Sequence, residues 1–168
     1  AAALGRRRVV RVPRRILGID PGLTRCGLGI VDVHGRQRVE FVHVSVVTSS
    51  PADELPRRLR LLADGIEAIL DEYTPDAIAL ERVFAQQNLP SVMGVAQISG
   101  VVLVSAERRG ITAALHTPSE VKAAVTGYGS AEKKQVGTMV QRILRLDEIP
   151  KPADAADALA LAICSAWK

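Results

Sequence analysis

The sequence predicts an α/β fold in which one mixed sheet carries helices on both faces. Short apolar runs alternate with segments whose apolar residues recur every three or four positions. The predicted order is three strands, a helix, a strand, a helix, a strand and then helices, without an internal repeat. With 168 residues and 48% hydrophobic composition, the chain is long enough to bury the core of one such domain.

The first two predicted strands form a hairpin. Residues 16–19 are a short apolar run, Pro21 and Gly22 supply the geometry of a sharp turn, and residues 27–33 are a second apolar run. The first strand delivers Asp20 to the end of the sheet, where a half-buried carboxylate is costly unless it faces a cation or hydrogen-bond donors. Taken alone, Asp20 is equally well explained as a side chain that caps the turn.

The next three elements predict a βαβ unit. A third strand is predicted over residues 38–47, and an amphipathic helix of about five turns follows from Ala52. Residues 76–81 then form a short apolar strand that ends in an acid, Glu81. The crossover makes its strands parallel, so if the strands that carry Asp20 and Glu81 are neighbours in register, both acids are expected at the same carboxyl edge, where ligand sites of open α/β sheets gather.

The rest of the chain is predicted to be helical apart from a fifth strand over residues 111–116. A helix rich in small residues over 91–109 suits close packing on the sheet or on a second subunit. Pro118 opens a further helix with Thr117 as its N-cap. Two last helices are predicted over residues 131–146 and 153–167.

Asp154 and Asp157 lie three positions apart at the start of the last helix, which places both carboxylates on one face. Acids are common in the first turn of a helix because they interact favourably with its dipole, so the pair alone favours a structural role. Asp157, however, lies within an otherwise apolar segment, where an unpaired buried carboxylate is expensive. Together with the two strand-end acids, the pair predicts a site for Mg²⁺ or Mn²⁺ that acts on a phosphodiester.

Charge is distributed unevenly along the chain. Residues 1–15 hold six arginines and no acid, whereas residues 16–168 hold 16 bases and 18 acids. Any nucleic-acid surface on the body must therefore be a local patch. Residues 1–15 are expected to be a disordered basic leader, followed by a single domain over residues 16–168.

The cysteines and histidines argue against structural disulfides and against a zinc site. Cys26 and Cys164 are far apart and no secretory signal is recognisable, which favours a reducing, cytoplasmic setting. No apolar run is expected to approach the roughly 20 residues that span a membrane. His34, His43 and His116 have no zinc-ligand spacing and are expected to be ordinary surface or loop residues.

Five motifs resemble the RuvC family of bacterial Holliday-junction resolvases. They read Gly-Ile-Asp-Pro-Gly-Leu-Thr-Arg-Cys-Gly at 18–27, Glu-Arg-Val-Phe at 81–84, His-Thr-Pro-Ser-Glu-Val-Lys at 116–122, Gly-Ser-Ala-Glu-Lys at 129–133 and Ala-Asp-Ala-Ala-Asp-Ala-Leu-Ala at 153–160. The resemblance runs from about residue 16 to residue 167, in the family's order and spacing. It implies a ribonuclease H-like fold and a homodimer that nicks two opposed strands of a four-way DNA junction. It also implies cooperation with the RuvA–RuvB branch-migration complex.

The resemblance implies four catalytic acids that hold two Mg²⁺ or Mn²⁺ ions, namely Asp20, Glu81, Asp154 and Asp157. It implies that Phe84 stacks on unstacked bases near the crossover, although by residue type alone Phe84 is more typical of a core. Lys122 and Lys133 match the bases that contact DNA close to the active site. Arg82 and residues 86–88 are further candidates for DNA contact because they follow Glu81 in the same loop.

Two functions of other classes remain open from the sequence. Residues 20–24 also resemble the first phosphate loop of ATP-dependent phosphotransferases of the actin-like superfamily, although those proteins use two such domains. A non-catalytic scaffold that binds junctions is the second alternative, and the intact set of four acids argues against it.

Overall fold

A computed structural model describes residues 12–82 and 88–168, which build one five-stranded sheet with helices on both faces. The strands are β1 (Arg14–Asp20), β2 (Arg25–His34), β3 (Arg38–Thr48), β4 (Ala77–Glu81) and β5 (Thr112–His116). The helices are α1 (Leu55–Tyr73), α2 (Leu89–Arg108), α3 (Pro118–Thr126), α4 (Lys133–Leu144) and α5 (Ala153–Ala166). Each element lies within a few residues of its predicted position, and the predicted mixed sheet is confirmed.

The sheet has the strand order β3-β2-β1-β4-β5. β1 and β2 pair antiparallel, as do β2 and β3, whereas β1, β4 and β5 run parallel. Ile19 is the register partner of Leu80 across the parallel pair β1 and β4. The next residues, Asp20 and Glu81, therefore leave the sheet side by side at its carboxyl edge, as the βαβ interpretation predicts.

The alternation of side chains along β1 fills two separate cores. Leu17 and Ile19 point to one face and pack in a buried cluster with α1 and α2. Ile16 points to the other face and packs in a cluster formed with α3, α4 and α5. This period of two along a fully buried strand is what fixes the sheet between two helical layers.

β1 begins at Arg14, inside the segment expected to be a leader. Arg15 donates from Nε and Nη2 to the two carboxylate oxygens of Asp32 on β2, at 2.8 and 2.9 Å. This bidentate pair joins the start of β1 to its neighbour, and it extends the strand beyond the predicted boundary. The rest of the predicted leader, residues 1–11, lies outside the described residues.

α2 is more apolar than the sequence analysis expected. An 18-residue window of this helix has a mean hydropathy of 1.7, which satisfies the length and composition of a membrane-spanning helix. The expectation that no apolar run approaches that length is therefore wrong. The inner face of α2 is nevertheless part of the protein core, because Ile98, Val102 and Ala106 pack with α1 and the sheet.

Two glycines allow α5 to lie directly on the centre of the sheet. A Cβ at Gly18 on β1 would overlap the carbonyl oxygen of Ala158, and a Cβ at Gly27 on β2 would overlap that of Asp154. Backbone thus approaches backbone, with no side chain between them. The consequence is that the start of α5, which carries two of the predicted acids, is held against the end of β1.

We expect Gly18→Ala to destabilise the fold by about 2–3 kcal/mol, because α5 must move away from β1 to admit the methyl group. In thermal unfolding this corresponds to a fall in Tm of about 5–10 °C. Gly35→Ala is the control: its Cβ meets nothing within 4 Å, although φ is +66°, so only the conformational cost of about 1 kcal/mol applies. Equal losses in the two variants would contradict the proposed role of Gly18.

Candidate active site

Four acids from three elements line one cleft at the carboxyl edge of the sheet. Asp20 ends β1 and Glu81 ends β4, while Asp154 and Asp157 lie in the first turns of α5. The cleft has a volume of about 410 Å³, and Lys122 of α3 and Lys133 of α4 also line it. The structure therefore brings together all four predicted acids and both predicted lysines.

The carboxylates of this cleft oppose one another's ionisation. The pKa of Asp20 rises from 3.8 to about 8, because the group is largely buried and because Asp157, Glu81 and Asp154 place further negative charge around it. Burial also raises the pKa of Glu81, and the charge of Asp157 adds to that effect. In the absence of added cations, the cleft is thus poised to hold a proton near neutral pH.

Two cations of the chain offset part of this charge. Lys133 Nζ lies 3.2 Å from Asp157 Oδ2, and the pKa of Lys133 is raised, first of all by the charge of Asp157. Arg25 Nε lies 3.2 Å from Asp154 Oδ2. The role of Arg25 was not predicted from the sequence, because the residue begins β2 and meets Asp154 only through the folding of α5 onto the sheet.

The donor set of the cleft suits hard divalent cations. All four acids offer oxygen ligands, which Mg²⁺ and Mn²⁺ prefer over nitrogen or sulfur. Across the described ranges 12–82 and 88–168, no three His, Cys, Asp or Glu side chains are placed so that they hold one ion together. Mg²⁺ commonly binds one or two protein carboxylates and completes its shell with waters and substrate phosphates. The residues therefore fit cations that are shared with a phosphate.

The other predicted DNA-contacting residues lie around the loop between β4 and α2. Phe84 falls outside the described residues, as do residues 86 and 87. Arg82 follows β4 directly, is exposed, and donates its backbone N–H to the carbonyl oxygen of His116 at 2.8 Å. It does not line the acidic cleft, and Asn88 is the N-cap residue of α2.

The structure corrects the expectation for one histidine. His116 is only 4% exposed, so it is a core residue and not a surface or loop histidine. It ends β5, in register with Glu81 on the neighbouring strand, and its Nδ1 lies 3.8 Å from Glu120 of α3. His34, by contrast, is partly exposed at the end of β2, where Nε2 lies 3.0 Å from Glu40.

His43 lies within β3 and stacks on Tyr73 of α1, with ring centroids 4.8 Å apart. The Tyr73 hydroxyl is 3.1 Å from His43 Nδ1. The expectation of a surface or loop residue is wrong here as well, because His43 helps to attach α1 to the sheet. None of the three histidines lines the acidic cleft.

Comparisons with known proteins agree on one family. The family model described as crossover junction endodeoxyribonuclease RuvC matches residues 16–165. The protein of that name from Clavibacter michiganensis is 65% identical over 154 residues, which cover 92% of this chain and 76% of the relative. That from Thermobifida fusca is 59% identical over 154 residues and is covered to 85%.

A solved structure gives the same result. Thermus thermophilus RuvC in complex with a Holliday junction substrate matches with a TM-score of 0.86 at 36% sequence identity. The match covers 92% of this chain and 93% of that one. The fold of the chain is therefore the ribonuclease H-like fold of that protein.

The raised pKa of Asp20 predicts how stability depends on pH. The folded, metal-free protein holds the Asp20 proton more tightly than the unfolded chain does, so stability falls as the pH rises from 3.8 towards 8. Asp20→Asn removes this loss, and we expect it to stabilise the metal-free protein by about 1–3 kcal/mol near pH 8 and by less near pH 5. Thermal unfolding in a chelator measures both values.

Mg²⁺ provides the second arm of this experiment. The ion should raise the Tm of the wild type at about pH 8 more than that of Asp20→Asn, because it replaces repulsion at this group by attraction. Asp64→Asn is the control, since Asp64 is 66% exposed and pairs only with Arg60 among the described residues. A pH profile of Asp20→Asn identical to that of the wild type would refute the assignment of the shift to Asp20.

Proposed function

The chain belongs to the RuvC family of crossover junction endodeoxyribonucleases, and we propose that its acidic cleft hydrolyses one phosphodiester of a Holliday junction, while the cleft of a second copy hydrolyses one in the opposed strand. The observation that carries this proposal is the convergence of four carboxylates from β1, β4 and α5 on one cleft that two lysines also line. The acids supply ligands for cations, and the lysines supply charge for a phosphate. Together they meet the needs of phosphodiester hydrolysis.

The cofactor proposed for this cleft is a pair of Mg²⁺ ions, for which Mn²⁺ can substitute. Their protein ligands would be Asp20, Glu81, Asp154 and Asp157. When bound, the two ions would activate a water for attack on phosphorus and stabilise the leaving 3′-oxygen. The raised pKa of Asp20 supports this assignment, since it reflects the burial of the carboxylate first and then the negative charge of the three acids around it.

Lys133 and Lys122 would hold the scissile strand over the acids. Lys133 is 76% exposed and is tied to Asp157 by a single contact of 3.2 Å. Its ammonium group is a compact charge on a flexible stem, so it can turn from Asp157 towards a phosphate when cations occupy the acids. Lys122 lines the same cleft from α3 and offers a second contact.

The loop after β4 would contact the DNA beside the cleft. Phe84 follows Glu81 by three residues, and we assign to it stacking on bases that are unpaired near the crossover. Arg82 is exposed next to Glu81 and is proposed to contact a phosphate. Residues 86–88 are further candidates in the same loop.

A homodimer through the outer face of α2 would place two clefts on opposed strands. Exposed residues at intervals of three or four form one apolar stripe along this helix, namely Leu89, Met93, Ala96, Gly100, Leu103 and Val104. Met93 is 52% exposed and Val104 is 51% exposed, and such a stripe gains free energy when it is covered. A twofold axis through it relates the two active sites, which symmetric nicking requires.

Membership of the family also supports cooperation with the RuvA–RuvB complex and action in the cytoplasm on chromosomal junctions. It removes the basis for the ATP-dependent phosphotransferase alternative. The non-catalytic scaffold is separated from the nuclease by the first of the two experiments that follow.

We expect Asp20→Asn to reduce Mg²⁺-dependent nicking of a synthetic four-way junction by about 10³-fold or more, because one cation ligand is lost. Binding of the junction should be retained, since the variant removes a negative charge. Asp147→Asn changes an exposed acid that does not line the cleft, and it serves as the control. Nicking by Asp20→Asn at the wild-type rate would sink the assignment, and absence of nicking by the wild type would favour the scaffold.

We expect Val104→Glu to weaken dimerisation by about 10²-fold or more, because the twofold axis brings two like charges into an apolar contact. Light scattering on a sizing column should then report a monomer, and paired nicking of opposed strands should become uncoupled. Leu61→Glu changes a residue of α1 with 40% exposure and is the matched control. A dimer of unchanged stability in Val104→Glu would move the interface elsewhere.

A further inference from the structure

A second groove opens beside the acidic cleft, between the β1–β2 turn, the start of α1 and the start of α2. It has a volume of about 400 Å³ and is lined by Arg25, Arg58 and Thr24 among others. Asp154 and Val95 line both this groove and the acidic cleft, so the two spaces adjoin.

Arg58 is held in the groove by hydroxyl groups. Its Nε donates to Ser49 Oγ at 3.0 Å, and its Nη2 donates to Thr24 Oγ1 at 2.9 Å. Ser49 is itself buried, with 7% exposure, and its hydroxyl donates to the carbonyl oxygen of Leu23. The guanidinium group is therefore fixed by a network that starts in the β1–β2 turn.

This network orients the charge of Arg58 without neutralising it. Neighbouring arginines of α1 have carboxylate partners, since Arg57 pairs with Asp53 at 3.5 Å and Arg60 with Asp64 at 3.6 Å. Within the described part of the chain Arg58 forms no ion pair, although it is half-buried. Two of its five donors are satisfied by the two hydroxyls, which leaves three free to face an anion in the groove.

We propose that Arg58 binds a backbone phosphate of the DNA, adjacent to the phosphate that is cleaved. The proposal rests on the proposed function, since it names a further contact of the same substrate. A guanidinium fork held at two corners matches the geometry of two phosphate oxygens. Ser49 and Thr24 are positioning residues: their hydroxyls accept hydrogen bonds from the Arg58 guanidinium and orient it, and they need not contact the DNA themselves.

The lining of the groove suits a phosphate of the strand. Its walls are mostly neutral, with Leu23, Pro90 and Gly94 among them, and Asp154 is the acid that lines it. Arg25 on the same wall pairs with Asp154 at 3.2 Å, so these two charges offset each other and Arg58 carries the charge that no described acid of the groove neutralises. A phosphate one or two nucleotides from the scissile bond would sit between the two arginines and away from the uncompensated acids.

The test compares Arg58→Gln with Arg57→Gln, which changes the preceding residue of the same helix. Binding of a four-way junction is titrated against salt concentration without divalent cations, so that no cleavage occurs. Arg58→Gln should weaken binding about tenfold and reduce the slope of log K against log salt by about one, because one phosphate contact is lost. Arg57→Gln should leave the slope unchanged. An unchanged slope in Arg58→Gln, or equal changes in both variants, would overturn the proposal.

Neutral phosphates locate the contact. Each junction of a series carries a single methylphosphonate at a different position around the scissile bond. At one position the methylphosphonate should weaken binding by the wild type as much as Arg58→Gln does. Binding of that junction by Arg58→Gln should show no further loss. Full additivity at every position would refute a direct contact.

Thr24→Val removes one of the hydroxyls that orient Arg58, so it should reproduce part of the loss of binding with an unchanged Tm. If Arg58→Gln instead lowers the Tm and keeps the wild-type salt slope, Arg58 has a structural role. Failure of wild-type protein to bind or nick the junction would refute the proposed function and not this contact alone.

Discussion

Negative charge concentrated in one half-buried cleft is the constraint on which the functional part of this structure depends. Burial and three neighbouring carboxylates raise the pKa of Asp20 to about 8, so the acids cannot all ionise freely in the protein alone. Lys133 and Arg25 each meet one of the acids, at 3.2 Å, and both cations are largely exposed. Exposed ion pairs contribute little to stability, so these two cations neutralise the carboxylates of the cleft only in part, and added cations should bind there.

Rigid packing behind the cleft holds the four carboxylates together against their mutual repulsion. α5 lies on β1 and β2 with backbone against backbone at Gly18 and Gly27, and the latter contact is at Asp154 itself. The carboxylates are thus attached to elements that cannot retreat from one another without disrupting both cores. Acids on flexible loops would move apart under their mutual repulsion, whereas these rigid elements keep the four carboxylates close together. The cleft is therefore a preorganised site for cations.

The strands and helices were predictable because local patterns encode them, and so was the meeting of Asp20 and Glu81. A crossover connection makes two strands of one sheet parallel, so neighbouring strands that each end in an acid present both acids at one edge. The partnership of Arg25 with Asp154 was not predictable, because it depends on how closely α5 approaches the sheet. The burial of His116 was missed for the same kind of reason, because exposure at a strand end depends on which elements pack beside it, and here α3 places Glu120 at 3.8 Å from the ring.

The positions of the basic residues around the acids indicate the course of a DNA strand across the surface. Residues 16–168 carry more acids than bases, so attraction to DNA has to come from local groups. Lysines from α3 and α4 line one side of the acidic cleft, and Arg25 and Arg58 line the groove beyond Asp154. Under the proposed function, a strand held at both ends by these cations must pass over the acids between them, because only that course keeps each phosphate near a positive charge. The same bases therefore provide affinity and select which phosphate reaches the catalytic acids.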